Sequence, residues 1–181
     1  MKSGQKQNNW RTKISLIFSF LIPLNSVSAS GLFVDLSYVG TSISIADQEF
    51  QPALTQLGLG WQFTERFSVE VLQATSDSDD QVLTVTSEVE SMSTVLLRYG
   101  SPVNSDVNAY VIAGYTELNL LMNGASLQTN ENYSGNSWGF GFEERLSNDG
   151  GLRLRFDYIN HYRQGELTVN SYQLGLRYVF D

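Results

Sequence analysis

The sequence predicts an all-β chain folded as an eight-stranded antiparallel, up-and-down transmembrane β-barrel with a packed polar interior. Three observations carry that expectation. From Gly31 onward, apolar residues recur with a period of two and helical spacing never persists. The connections between these stretches run long and short in turn, and the chain opens like a secreted precursor.

The opening has a basic stretch from Met1 to Lys13, an apolar run from Ile14 to Leu24 and a small-residue end at Val27-Ser28-Ala29. That is the layout of a signal peptide, expected to cover residues 1–29 and to leave a barrel domain over residues 30–181. The apolar run is 11 residues long and contains Pro23. A membrane-spanning helix needs about 20.

Without that segment the charge is −12 and every remaining basic residue is an arginine. A water-facing domain ordinarily keeps lysines for solvation, so their absence implies that much of the surface does not face water. The acidity also excludes nucleic acid as a partner, because phosphate binding needs clustered positive charge. With no cysteine anywhere, a disulfide framework and a thiolate metal site are excluded. No later run reaches 18 apolar residues, so membrane insertion requires a closed barrel.

Eight stretches alternate. The first sets Leu32, Val34, Leu36 and Tyr38 against Phe33, Asp35 and Ser37, and the second sets Leu57, Leu59, Trp61 and Phe63 against Gln56, Gly58, Gly60 and Gln62. The third carries Phe67, Val69 and Val71 opposite Glu70, and the fourth Val95, Leu97 and Tyr99 opposite Arg98. Val107 to Tyr115 makes the fifth, and Trp138, Phe140 and Phe142 against Gly139, Gly141 and Glu143 the sixth. The seventh opposes Leu152, Leu154, Phe156 and Tyr158 to Arg153, Arg155 and Asp157. The eighth opposes Tyr172, Leu174, Leu176, Tyr178 and Phe180 to Gln173, Gly175 and Arg177. Long connections are expected at 41–53, 75–92 and 119–136, a medium one at 161–168, and short ones at Thr64–Arg66, Ser101–Asp106 and Leu146–Gly151. The short turns belong on the periplasmic side, with both termini.

Alternation alone fits two barrels of opposite sense: a membrane barrel, and a soluble lipocalin-like carrier with its apolar row inside. The polar row separates them. It holds Asp35, Glu70, Glu143 and Asp157 with Arg98, Arg145, Arg153, Arg155 and Arg177. An arginine facing lipid near the midplane costs about 2–4 kcal/mol, whereas inside it meets carboxylates. The glycines of the same row suit a narrow lumen. Aromatic residues fall into two belts. Tyr38, Tyr115, Trp138, Tyr158 and Tyr172 lie at the outer end, and Trp61, Phe63, Phe67, Tyr99, Tyr178 and Phe180 at the periplasmic end, the levels where amphipathic rings meet headgroups.

Tyr110–Tyr115, Gly139–Glu143 and Tyr172–Phe180 resemble the small outer-membrane β-barrel family that includes opacity-type and OmpA-like barrel proteins. The resemblance implies a barrel in the outer membrane of a Gram-negative cell, in contact with outer-membrane lipid and lipopolysaccharide. It also implies insertion by the barrel assembly machinery through the C-terminal strand. The family usually ends on an aromatic residue, whereas here Phe180 is followed by Asp181.

Little catalytic chemistry is legible. His161, expected at a loop rim, sits where the eight-stranded lipid A deacylases place their histidine, but the position of their serine is Arg163, which has no hydroxyl to activate. Asp77, Asp79 and Asp80 complete no calcium-loop motif and read as solvated loop, while Glu88 and Glu90, two apart in an extended stretch, share a solvent face. Gly150-Gly151 is a turn, since no strand-to-helix unit follows. The expectation is a non-catalytic protein without cofactor or metal, with a filled lumen and outer loops that could meet a surface ligand. A lipid A-modifying enzyme and a soluble carrier stand as alternatives.

Overall fold

The computed structural model describes residues 31–45, 48–76, 80–82, 85–102, 106–124, 127–146 and 151–180. The expected signal segment, Asp77, Asp79, Gly150 and Asp181 lie outside the described residues.

Among those residues the chain forms ten strands: β1 (Gly31–Ile45), β2 (Gln48–Phe50), β3 (Ala53–Gln62), β4 (Phe67–Ser76), β5 (Asp80–Val82), β6 (Val85–Gly100), β7 (Val107–Gly124), β8 (Leu127–Arg145), β9 (Leu152–Gln164) and β10 (Leu167–Val179). Eight of them make the wall in the order β10-β9-β8-β7-β6-β4-β3-β1, and β1 pairs with β10 to close it. That closing register is antiparallel and unbroken from Phe33↔Val179 to Ile45↔Leu167. The two short strands extend the outer hairpins, β2 on β1 and β5 on β6. Every wall strand therefore pairs on both sides, which leaves no open edge in the wall.

Local chemistry closes the short turns. The Thr64 hydroxyl accepts from the backbone N–H of Phe67 at 2.9 Å and of Arg66 at 3.2 Å, folding β3 back onto β4. On the opposite end Gly165 takes φ 59°, a left-handed value, in the tight turn from β9 to β10.

The side-chain rows give the barrel its sense. Leu32, Leu36, Leu57, Leu59, Val71, Val111, Phe140 and Leu174 are exposed on the outside, while Asp35, Glu70, Arg98, Glu143, Arg155, Asp157 and Arg177 are buried inside. A soluble carrier has the reverse arrangement at this level, so the lipocalin-like alternative falls. Above the outer aromatic belt the phase inverts. Val39, Ile43, Phe50, Leu54, Val89, Met92, Leu118, Leu120, Leu167 and Val169 turn inward and form one buried apolar cluster, and Ser93, Glu117 and Asn136 occupy the outward row.

This inversion corrects the expected long connections. Instead of a loop over 119–136, β7 and β8 continue as a ladder from Asn119↔Asn132 to Gly124↔Leu127. Likewise β6 begins at Val85, and β1 runs to Ile45. Polar residues dominate these stretches because their outer face meets water. Their inner face still buries Leu118, Leu120 and Met92, and that burial, with the ladder hydrogen bonds, extends the wall.

The lumen is packed to the point of excluding a Cβ. A side chain at Gly60 would collide with the ring of Phe33, and one at Gly141 with the Asp157 carboxylate. Gly60→Ala is expected to destabilise the barrel by about 1–3 kcal/mol by overpacking. Denaturant unfolding in micelles would show this as a lower midpoint, and an unchanged midpoint would mean that the Phe33 ring yields freely.

Candidate functional site

Eight charged side chains meet in the half of the lumen nearer the β3–β4 turn: Asp35 from β1, Glu70 from β4, Arg98 from β6, Glu143 from β8, Arg153, Arg155 and Asp157 from β9, and Arg177 from β10. The inward row of each strand delivers them to one level, because alternate residues of tilted strands share a face. Arg177 grips Asp35 as a fork, Nε to Oδ1 at 2.8 Å and Nη2 to Oδ2 at 3.1 Å. It also reaches Glu70 at 2.7 Å and Glu143 at 3.2 Å.

Arg155, fully buried, pairs with Asp157 at 2.5 Å, Asp35 at 2.9 Å and Glu70 at 3.2 Å. Arg98 spans Glu70 at 2.8 Å and Glu143 at 3.1 Å, and Arg153 donates to Glu143 at 2.6 Å. Four arginines balance four carboxylates, so the layer has no net charge. Two guanidinium groups also stack on rings, Arg98 over Tyr110 at 3.5 Å and Arg177 over Phe33 at 3.9 Å. The Tyr110 hydroxyl donates to Asp157 at 2.5 Å. Arg145 is half-buried at the end of β8, opposite Arg153 in the register.

Above the charges lies a neutral polar layer that the sequence did not reveal. Gln56 donates to Gln173 at 2.9 Å, and Gln173 donates to the Ser171 hydroxyl at 3.2 Å. That hydroxyl lies 2.8 Å from His161 Nε2, and Thr116 lies 3.0 Å from Nδ1. Thr116 in turn meets Thr94 at 2.9 Å and Ser137 at 2.7 Å. His161 is therefore not a loop-rim residue. It is buried at a β-bulge, where the β9–β10 register skips it between Val169↔Tyr162 and Asn170↔Asn160.

The bulge places a serine on the imidazole that sequence spacing missed, since Ser171 belongs to the neighbouring strand. A hydrolase would need a carboxylate or amide to orient the other ring nitrogen, and an exposed nucleophile. Here Thr116 occupies that position, and both Ser171 and His161 are fully buried.

On the outside, the rings form two groups. Tyr158 contacts Trp138 at 6.2 Å and Tyr172 at 5.2 Å between centroids, with Tyr38 and Tyr115 exposed on the same end. Trp61, Phe63, Phe67 and Tyr99 make a chain of contacts at the other end, and Tyr178 packs on Phe180 at 5.0 Å. The mouth beside the β3–β4 turn holds a cavity of only about 20 Å³, lined by residues including Gln62, Ser68, Asn108 and Arg98. That is room for about one water.

The sequence profile described as an outer membrane protein β-barrel domain matches residues 16–180. Among solved structures, the chain is similar to Ail, the attachment invasion locus protein of Yersinia pestis, solved with the heparin analogue sucrose octasulfate: 12% identity, 83% of this chain and 99% of that chain, TM-score 0.64. It is similar to Neisserial surface protein A at 13% identity, over 84% of this chain and 99% of that chain, with a TM-score of 0.63. For the N-terminal barrel domain of Pseudomonas aeruginosa OprF the values are 12%, 82%, 97% and 0.61. No curated protein matches the sequence.

Removing one carboxylate from the charged layer strands the arginines around it. Glu70→Ala is expected to cost about 3–5 kcal/mol, against less than about 0.5 kcal/mol for exposed Glu90→Ala. Unfolding midpoints of both variants in the same micelle would check this, and equal midpoints would remove the layer's structural role.

Proposed function

We propose that this chain, an integral outer-membrane protein that belongs to the outer membrane protein β-barrel domain family, is a non-catalytic wall element whose lumen is a plug and whose outer hairpins offer an interaction surface. The observation that carries the reading is the stack of three filled layers across the lumen: paired charges, hydrogen-bonded neutral groups, then apolar side chains. An ion crossing it would have to break buried pairs and then enter an apolar zone with nothing to replace its hydration. The enclosure of His161 and Ser171, with no acid on the imidazole among the described residues, supports the absence of catalysis and counts against lipid A modification. Lipid and lipopolysaccharide around the belts, and the assembly machinery acting on the last strand, belong to the same proposal.

Charge decides the kind of surface ligand. Among the described residues, the outer strand ends and turns carry Glu49, Asp80, Glu88, Glu90, Glu117, Glu131 and Glu166, with Arg163 the sole basic residue among them. Ail was solved with a sulfated polyanion. A polyanion would be repelled here, so a partner for these hairpins is cationic.

The purified protein is expected to show no stable conductance in planar bilayers; reproducible single-channel openings would overturn the plug. Deleting residues 75–91 is expected to preserve the mobility difference between unheated and boiled samples on gels, and to weaken retention on immobilised polylysine. Loss of the heat-dependent shift would mean that this hairpin is needed for folding, and unchanged retention would mean that it is not the interaction surface.

A further inference from the structure

The outward row of β1 is apolar up to Tyr38 and then meets Gly40, which pairs with Ala53 on β3 and with Tyr172 on β10. Two of the smallest side chains thus lie next to each other immediately above the outer belt. Tyr38 and Tyr172, both more than half exposed, rise beside them and enclose a notch of about 350 Å³ with Ser42, Glu49, Gln51 and Asn170 at its rim. The wall is braced, because Tyr172 packs on Tyr158 and Tyr158 on Trp138.

The rim is set as well. Ser42 donates to Glu49 Oε1 at 2.8 Å and Gln51 donates to the same oxygen at 3.3 Å. The Asn170 carbonyl oxygen accepts from Tyr158 at 3.1 Å and from Asn160 at 2.7 Å, which leaves its amide nitrogen as a donor.

We propose that this notch holds the sugar headgroup of an outer-leaflet glycolipid. A sugar ring offers a weakly apolar face that suits the tyrosine rings, and an edge of hydroxyls that suits a carboxylate, an amide and a hydroxyl. The notch sits at the height where headgroups meet the barrel. Among the described residues its one charged group is Glu49 and no lysine or arginine lines it, so a phosphate is the wrong ligand. The floor is open: a Cβ on Gly40 would find its nearest neighbour, the Tyr172 carbonyl oxygen, at 3.9 Å. Gly40 is thus not required by backbone packing, unlike Gly60 or Gly141, and its smallness keeps the notch empty.

The inference deepens the lipid contact of the proposed function and rests on the barrel's orientation. It is independent of the plug, which the conductance measurement tests separately. The experiment places the full mature chain and its Gly40→Leu variant in phosphatidylglycerol nanodiscs doped with increasing monoglucosyl diacylglycerol, or with phosphatidylethanolamine. Amide NMR shifts are followed at Ala53 and Asn170 in both proteins, and also at Gly40 in the unsubstituted chain. Phe67 and Tyr99 at the other girdle serve as reference.

The glycolipid is expected to produce saturable shifts at the notch and not at the reference girdle. Gly40→Leu is expected to keep the heat-dependent gel shift while lowering the apparent affinity at Ala53 and Asn170 about tenfold or more. Saturable shifts of the same size with phosphatidylethanolamine would assign the notch to an amine and overturn the proposal. So would glycolipid shifts that fail to saturate, that appear equally at both girdles, or that persist undiminished in the variant.

Discussion

A wall of eight strands leaves a lumen that side chains just fill, and every other feature of this molecule follows from what can share so narrow a space. Glu70 touches three arginines, and Arg177 and Arg155 each touch three carboxylates. Charges taken this far from water are costly alone and tolerable only when each finds several opposite partners. Equal numbers of the two signs, with phenol and benzyl rings under two guanidinium planes, meet that condition. The glycines facing Phe33 and Asp157 leave room for the ring and the carboxylate that the arginines contact.

The same constraint explains why the outer third is different. Once the wall rises past the headgroups, its exterior meets water and its interior no longer needs polar filling. The hydrophobic row therefore crosses from the outer to the inner face, near Tyr38-Val39 on β1 and between Val169 and Tyr172 on β10. One chain thus contains both senses of barrel, stacked along the axis. The choice between a membrane barrel and a soluble one is a question about height as much as about identity.

That crossing also marks where the sequence stopped being legible. Strand number, strand order and the inward placement of the charges could be read from period-two alternation, because lipid on one side demands an unbroken apolar row. Over 119–136 the outward row includes Asn119, Asn130, Asn132, Ser134 and Asn136, a composition shared with loops, and the inward Leu120, with Leu118 just before it, gives too little apolar signal to stand out. The pairing of His161 with Ser171 was hidden for a different reason. It depends on a one-residue register shift between β9 and β10, and single-residue shifts leave no mark in composition. The notch at Gly40 escaped because a small residue in an outward row reads as an interruption until its neighbours on both flanking strands are known.

Asp35 and Arg177 lie in register across the junction where the last strand meets the first. Their contact joins residues 142 positions apart, and it forms only when the circle is completed. A half-zipped intermediate would strip the Asp35 carboxylate on one lip of both its arginines and leave Arg177 on the other with Glu143 alone, both inside a hydrocarbon slab. Partly assembled species are thereby penalised relative to the finished cylinder, and the electrostatic latch makes assembly closer to all-or-none than strand hydrogen bonding would by itself.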